Sequence, residues 1–153
     1  LIPRVTLDIA DFSAGADPED TLEAMYLLER TVVEQTDSAA TPTHLLLPTS
    51  IYMYVASTRA SLLTGDTILD VYKRNAQFAK TVEMLRELET AGPSGGKVIA
   101  CVRIGDDAAE HIVPNPLEIL PAQERNLSSV FNVVCSVGGF VSTFPKNHCI
   151  GEF

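Results

Sequence analysis

A short apolar segment enclosed by prolines, Pro42-Thr-His-Leu-Leu-Leu-Pro48, constrains the fold more than any other stretch of this chain. Leu45 to Leu47 form an uninterrupted apolar run between two breakers, which predicts a short strand buried on both faces. Because Pro48 has no backbone N–H to donate to a sheet, we expect the strand to end there. Thr49 or Ser50 is then predicted to cap a following helix.

A helical pattern precedes this strand and places it inside a layered fold. Asp17 suits an N-cap, Pro18 suits the first helical position, and apolar residues recur at helical spacing as far as about Gln35. The order of helix, buried strand and helix predicts an α/β layer whose centre includes Leu45 to Leu47.

The last third of the chain has the pattern of strands rather than of helices. Lys97 to Ile104 is predicted to be a strand, and Ile112 to Leu120 is interrupted by prolines, which favours a sheet edge. Gly138-Gly139 predicts the turn of a hairpin between residues 127–137 and 140–144. Since helices are concentrated in the first two-thirds and strands in the last third, the predicted fold class is α+β.

The charge of the chain limits what it can bind. Its 153 residues include 20 acidic and 11 basic side chains, which gives a formal net charge of -9 at pH 7. Such a surface repels phosphate backbones and anionic membranes, so non-specific nucleic-acid binding and membrane association are disfavoured. No apolar run in the sequence approaches the ~20 residues that a membrane-spanning helix needs.

The cysteines and their nearest histidine do not form a recognisable metal or redox motif. Cys101, Cys135 and Cys149 lie far apart, and an odd number without a framework indicates reduced thiols in a cytosolic setting. His148 lies next to Cys149, but adjacent side chains rarely aim at one zinc ion, and no second pair completes four ligands.

Two other motifs resemble ligand sites but differ from them in spacing or context. Ser94-Gly95-Gly96-Lys97 resembles a phosphate-binding loop, but Ala91 and Val98 replace its first glycine and its hydroxyl residue, and the loop leads into a strand. A group of acidic residues lacks the spacing of a calcium loop and is explained by a capped, solvated helix start; its members are Asp8, Asp11, Asp17, Glu19, Asp20 and Glu23. The sequence therefore predicts no catalytic, cofactor-binding or metal-ligating residue.

Several stretches between Asp17 and Pro145, taken together, resemble one family. They are Val32 to Thr36, Pro42 to Pro48 followed by Tyr52, Thr67 to Tyr72, Leu88 to Gly92, Gly96 to Ile104, Ile112 to Pro116, Leu120 to Gln123, and Gly138 to Pro145. In order and spacing they are similar to the axial domain and C-terminal part of tailed-bacteriophage major capsid proteins with the Hong Kong 97-like fold. Each stretch is structural rather than catalytic, so their order carries the resemblance.

The resemblance implies a mixed sheet flanked by helices. Residues 1–118 would form an axial-domain-like portion, and residues 119–153 would form C-terminal strands of the peripheral domain. The family's amino-terminal arm, extended loop and spine helix would precede Leu1, so we expect a truncated or cleaved subunit.

The resemblance also implies a function without an active site, a metal or a cofactor. Copies of the chain would assemble as hexamers and pentamers into an icosahedral shell that encloses DNA without sequence-specific binding. The protein would be located in the virion capsid, after assembly in the host bacterial cytoplasm, and would not contact a membrane.

Three other interpretations are compatible with the sequence. An encapsulin shell of the same fold would hold cargo enzymes instead of DNA. A small α/β enzyme would use Cys135 or Cys149 as a thiol nucleophile, with His44 or His111 recruited as its base. A plain interaction domain would need none of these groups. Unusual thiol reactivity would favour the enzyme, whereas slow labelling would favour the shell subunit.

Overall fold

The computed structural model describes residues 2–8, 12–13, 15–60, 65–105, 109–112, 115–121, 123–125, 128–130, 133–136, 139–142 and 144–153. Within these residues the helices are α1 (Pro18–Gln35), α2 (Thr49–Ser57) and α3 (Ile68–Asn75). The strands are β1 (Arg4–Thr6), β2 (His44–Leu47), β3 (Thr81–Met84), β4 (Val98–Val102), β5 (Ala109–Ile112), β6 (Asn115–Ile119), β7 (Gln123–Arg125), β8 (Ser128–Val130), β9 (Val133–Ser136), β10 (Gly139–Ser142) and β11 (Cys149–Glu152).

The chain divides into two compact units, Leu1–Ile104 with Phe144–Phe153, and Gly105–Thr143. The first is built on a mixed five-stranded sheet with the order β1-β11-β4-β2-β3. β1 is parallel to β11 and β2 is parallel to β3, whereas β4 is antiparallel to both β11 and β2. The fold is therefore of the predicted α+β class.

The strand predicted at Leu45 to Leu47 is confirmed as β2, next to the edge strand β3. Leu45 and Leu47 are completely buried, but Leu46 on the opposite face is only partly buried. The expectation of two fully buried faces therefore holds for one face of the strand and is wrong for the other.

Helix α1 has the predicted bounds and packs on the sheet. Asp17 is its N-cap and accepts a hydrogen bond from the backbone N–H of Glu19 at 3.0 Å. Met25, Leu28 and Val32 recur at helical spacing, are completely buried, and belong to the same apolar core as the sheet residues. The apolar residues that recur at helical spacing thus form the face by which α1 contacts the sheet.

Gly151 in β11 allows the backbone of the sheet to lie close to its neighbours. A Cβ atom built at Gly151 would overlap Leu7 Cδ1 and would lie 3.1 Å from both Leu7 Cγ and Leu28 Cδ2. Because glycine has no side chain, Leu7 and α1 can both pack directly over this strand.

Helix α2 begins where it is predicted to begin, but it is capped differently. Pro48 occupies the N-cap, so Thr49 and Ser50 lie inside the helix and the prediction that one of them caps it is wrong. Glu89, in the 3-10 turn Arg86–Glu89, accepts hydrogen bonds from the backbone N–H and the hydroxyl of Ser50. These bonds, led by the backbone one, lower the pKa of Glu89. A negative charge is also favoured at a helix N-terminus.

The described part of the second unit consists of nested antiparallel strand pairs. β7 pairs with β8, β6 with β9 and β5 with β10, which is the pairing order of one long hairpin with β5, β6 and β7 in one arm and β8, β9 and β10 in the other. β9 and β10 therefore pair with the opposite arm, and the prediction of a hairpin between them is wrong. A local glycine signal does not specify which strands pair, because pairing depends on distant residues. Gly138 lies outside the described residues.

The division of the chain into these two units does not coincide with the division expected from the sequence. The breaks fall at 104/105 and 143/144, whereas the expected division follows residue 118. The C-terminal strand β11 accounts for part of the difference, because it lies between β1 and β4 in the five-stranded sheet. The assignment of residues 1–118 and 119–153 to axial and peripheral portions stays a prediction.

Candidate functional site

Two of the cysteines lie opposite each other on neighbouring strands. Cys101 in β4 is in register with Cys149 in β11, and both thiols are free and completely buried. Burial raises the pKa of Cys149 to about 11. Burial raises the pKa of Cys101 further, and the Glu29 carboxylate adds to this effect. Both thiols are therefore protonated at neutral pH, whereas a nucleophilic cysteine needs a lowered pKa. Cys135 lies in β9, and its side chain is outside the described structure.

The histidines considered as catalytic bases lie on separate elements. His44 begins β2, where its Nδ1 is 2.7 Å from Thr43 Oγ1. His148 is buried immediately before β11, next to Cys149 in sequence. His111 lies in β5 of the second unit. Among the described side chains, no group of three or more His, Cys, Asp or Glu residues could hold a metal ion.

The glycine-rich loop has a structural role in the first unit. Pro93–Gly95 form a 3-10 turn that leads into β4, as a strand-initiating loop would, and Gly95 has a positive φ of 78°. Lys97 Nζ lies 3.9 Å from Glu89 Oε2, the carboxylate that caps α2. The lysine of this loop is therefore close to an acidic side chain of the protein itself.

The acidic residues around the start of α1 are explained by helix capping. Asp17 is the N-cap, and Glu19 and Asp20 lie in the first turn, where negative charge is favoured. Asp11 lies outside the described residues. Glu23 lies further along α1 and lines a groove on its surface.

A buried carboxylate, Glu29, joins α1 to the segment between α3 and β3. Its side chain is 6% exposed, and its Oε1 accepts hydrogen bonds from the backbone N–H groups of Phe78 and Ala79. The patterns considered above do not single out this residue. The available signal was its position, one helical turn after Met25 and one before Val32, on the apolar face of α1.

Two tyrosines pack α1 against α3 near this carboxylate. Tyr26 and Tyr72 stack with their ring centroids 5.2 Å apart, and Tyr72 is completely buried. Burial raises the pKa of Tyr72 strongly, and Glu29 adds to the effect. Burial also raises the pKa of Tyr26, against a lowering contribution from its hydrogen bond with Asn75. Because the pKa of each hydroxyl is raised above its ordinary value, neither exchanges a proton readily near neutral pH. The pair is therefore a packing contact.

An open groove of about 690 Å³, here called the α1 groove, lies between α1 and the segment after α3. Leu27 and Phe78 form apolar parts of its surface and are 41% and 40% exposed. Glu23 and Glu34 lie on its rim, and Arg30 Nε is 2.6 Å from Glu34 Oε1. Exposed apolar surface with a charged rim is typical of a protein-contact surface.

The helices in the described part of the chain lack the combination of length and apolar character that a membrane span requires. This finding concerns α1, α2 and α3.

Solved structures with the same architecture are shell proteins and a phage-related protein. The chain matches a structure of the capsid of Myoviridae phage XM1 with a TM-score of 0.82 and 12% identity, over 99% of this chain and 51% of that one. It matches a virus-like particle from Pyrococcus furiosus with a TM-score of 0.65 and 14% identity, over 99% and 56% of the two chains. A phage-related protein from Bordetella bronchiseptica RB50 gives a TM-score of 0.57 and 14% identity, over 98% and 56%.

The fold is that of a phage capsid protein, and the chain spans about half the length of the structures it matches. The family model described as major capsid protein matches residues 16–150, which is most of the sequence. The chain therefore belongs to the major capsid protein family, and the resemblance to tailed-phage capsid proteins is confirmed. No curated protein gives a significant sequence match.

Proposed function

We propose that this chain is a structural subunit, or the part of one, that self-assembles into an icosahedral phage capsid enclosing DNA. The observation that carries this proposal is the match of the major capsid protein family over residues 16–150. The fold it shares with a phage capsid, at a TM-score of 0.82, supports the same function. Hexamers and pentamers would form the shell, which would assemble in the host cytoplasm and remain in the virion.

The chemistry of the described side chains supports a structural role rather than catalysis. Cys101 and Cys149 are buried and protonated, so neither thiol is prepared for nucleophilic attack. The net charge of -9 supports enclosure of DNA without tight adhesion, because an acidic subunit repels the phosphate backbone. Contacts between copies would then carry the function.

A second candidate is a shell of the encapsulin type that encloses protein cargo. The structural match to a virus-like particle, at a TM-score of 0.65, is the observation that favours it. The two candidates share the fold and differ in what the particle contains, so the contents of purified particles distinguish them.

The test is expression of the complete gene product, followed by electron microscopy and light scattering over a range of salt and protein concentrations. We expect closed shells of uniform diameter, and nuclease-protected DNA in particles taken from phage-producing cells. Shells that hold protein and no DNA would favour the second candidate. Monomers under all conditions would contradict both.

A further inference from the structure

The carboxylates that line the α1 groove differ in whether another group of the protein binds them. Glu34, toward the C-terminal end of α1, is paired with Arg30, and the buried Glu29 accepts two backbone N–H groups. Glu23 is exposed. It lies about 16 Å from Glu34 along the helix, because an α-helix rises about 1.5 Å per residue. Its carboxylate is available to a cation that enters the groove.

The apolar part of the α1 groove is suited to an aromatic side chain. Leu27 and Phe78 are large, substantially exposed, and line the same groove beside Glu23. Aromatic rings contribute large buried areas at protein interfaces, and exposed apolar surface with a charged rim marks such interfaces. The complementary surface would combine an exposed aromatic ring with a nearby positive charge.

The first unit itself presents this combination beside the C-terminal end of α1, where Phe144 and Lys146 line a separate hollow with Thr36. Phe144 is 55% exposed and immediately precedes the 3-10 turn Pro145–Asn147, in which Lys146 is exposed; we call these residues the 144–147 turn. The backbone N–H of Asn147 donates to the carbonyl of Phe144 at 2.9 Å, and Asn147 is buried. A turn that already contains this internal hydrogen bond loses less conformational entropy on binding than an extended chain would.

We propose that the 144–147 turn of one copy docks into the α1 groove of a second copy. Phe144 would pack on Leu27 and Phe78, and the Lys146 ammonium group would approach Glu23. Charge complementarity favours a second copy as the occupant, because the groove offers a carboxylate and the turn offers an ammonium group beside an aromatic ring. This inference rests on the proposed function, since it names one contact through which subunits join.

The two surfaces differ from each other, so the contact is head-to-tail. A head-to-tail contact closes into a ring when its rotation allows, and otherwise continues as an open array. Rings of subunits are the arrangement that hexamers and pentamers require. The contact therefore gives a specific structural basis for the ring stage of the proposed assembly.

Charge exchange in the complete gene product tests the contact, with self-association measured by sedimentation velocity at low salt. Glu23→Lys and Lys146→Glu should each weaken the association constant by about tenfold or more, because each places like charges together. The double variant restores opposite charges and should recover most of the wild-type association. Glu23→Gln should weaken association in the same direction, but less.

A matched control separates this contact from the general effect of charge. Glu83→Lys makes the same charge change as Glu23→Lys at an exposed position of β3 that does not line the groove. It should leave association within about twofold of wild type. Phe144→Ala should weaken association by about tenfold or more, as truncation of an interface aromatic does.

The possible outcomes are distinguishable once circular dichroism has verified that each variant is folded. If the wild type assembles but Glu23→Lys behaves like Glu83→Lys, or the charge exchange does not restore association, the docking contact is wrong and the proposed function stands. If the wild type is monomeric under all conditions, the proposed function fails and the docking contact fails with it.

Discussion

Replacing Gly151 with alanine tests whether the packing over β11 depends on the absence of a side chain. The new Cβ would overlap Leu7 Cδ1 and would lie 3.1 Å from Leu7 Cγ and from Leu28 Cδ2. Leu7 is 6% exposed and Leu28 is completely buried, so neither can move away without disturbing the core. Inserting a methyl group into a packed core costs about 1–3 kcal/mol, and we expect Gly151→Ala to lower the free energy of unfolding by that amount.

A second substitution shows whether Leu7 is the residue that the new methyl group disturbs. Leu7→Ala alone leaves a cavity and should cost about 2–5 kcal/mol. In the double variant the methyl group at position 151 occupies part of the space that Leu7 vacates. The loss in the double variant should therefore be smaller than the sum of the single losses by about 0.5–3 kcal/mol.

The assay is equilibrium unfolding in urea, followed by far-ultraviolet circular dichroism, with the midpoint and slope fitted for each variant. Gly65→Ala is the matched control: its Cβ would meet no atom within 4 Å, although its positive φ of 72° makes alanine strained. Gly65→Ala and Leu7→Ala should therefore be additive. Additive losses for Gly151→Ala and Leu7→Ala would refute the proposed steric cause, as would a Gly151→Ala variant as stable as wild type.

Three further predictions concern buried ionisable groups. Glu29→Ala leaves the N–H groups of Phe78 and Ala79 without their acceptor and should lower the free energy of unfolding by about 1–3 kcal/mol for each. Glu29→Gln keeps an acceptor and should cost less in the same urea assay. Equal losses for the two variants would contradict this role of Glu29. Burial raises the pKa of Cys149 from 9.0 to about 11, so the folded state holds this proton more tightly, and the stability it contributes should be lost as pH rises from about 9 to about 11. Cys149→Ala should flatten that decline, and an unchanged pH dependence would argue against it. In the folded protein at pH 8, iodoacetamide should label Cys101 and Cys149 much more slowly than in urea, as measured by mass spectrometry.

The elements with strong local signals are those that were predicted well. Asp17 and Pro18 mark the start of α1, and its apolar spacing continues to Gln35, because capping and periodicity involve residues within a few turns. The apolar run ending at Pro48 similarly locates β2 and the start of α2. The family resemblance rests on these same local features in their order along the chain.

The details that were not predicted depend on distant residues. Glu89 caps α2 although it lies 39 positions after Ser50, and no local pattern connects them. The Gly138-Gly139 signal favoured a local hairpin, but β9 and β10 pair with strands of the opposite arm. The α1 groove also had no sequence signature, because Phe78 and Leu27 belong to segments that only packing brings together.

The sequence by itself determined where the chain forms α1 and β2, that its class is α+β, and which family it resembles, since spacing, caps and breakers act over short distances. Only the tertiary structure decided that β11 lies between β1 and β4, and that Gly151 must lack a side chain beneath Leu7 and Leu28. The contact between Arg4 and Glu152 joins residues 148 positions apart. Such contacts are selected by the packing free energy of the whole core, which local propensities do not contain.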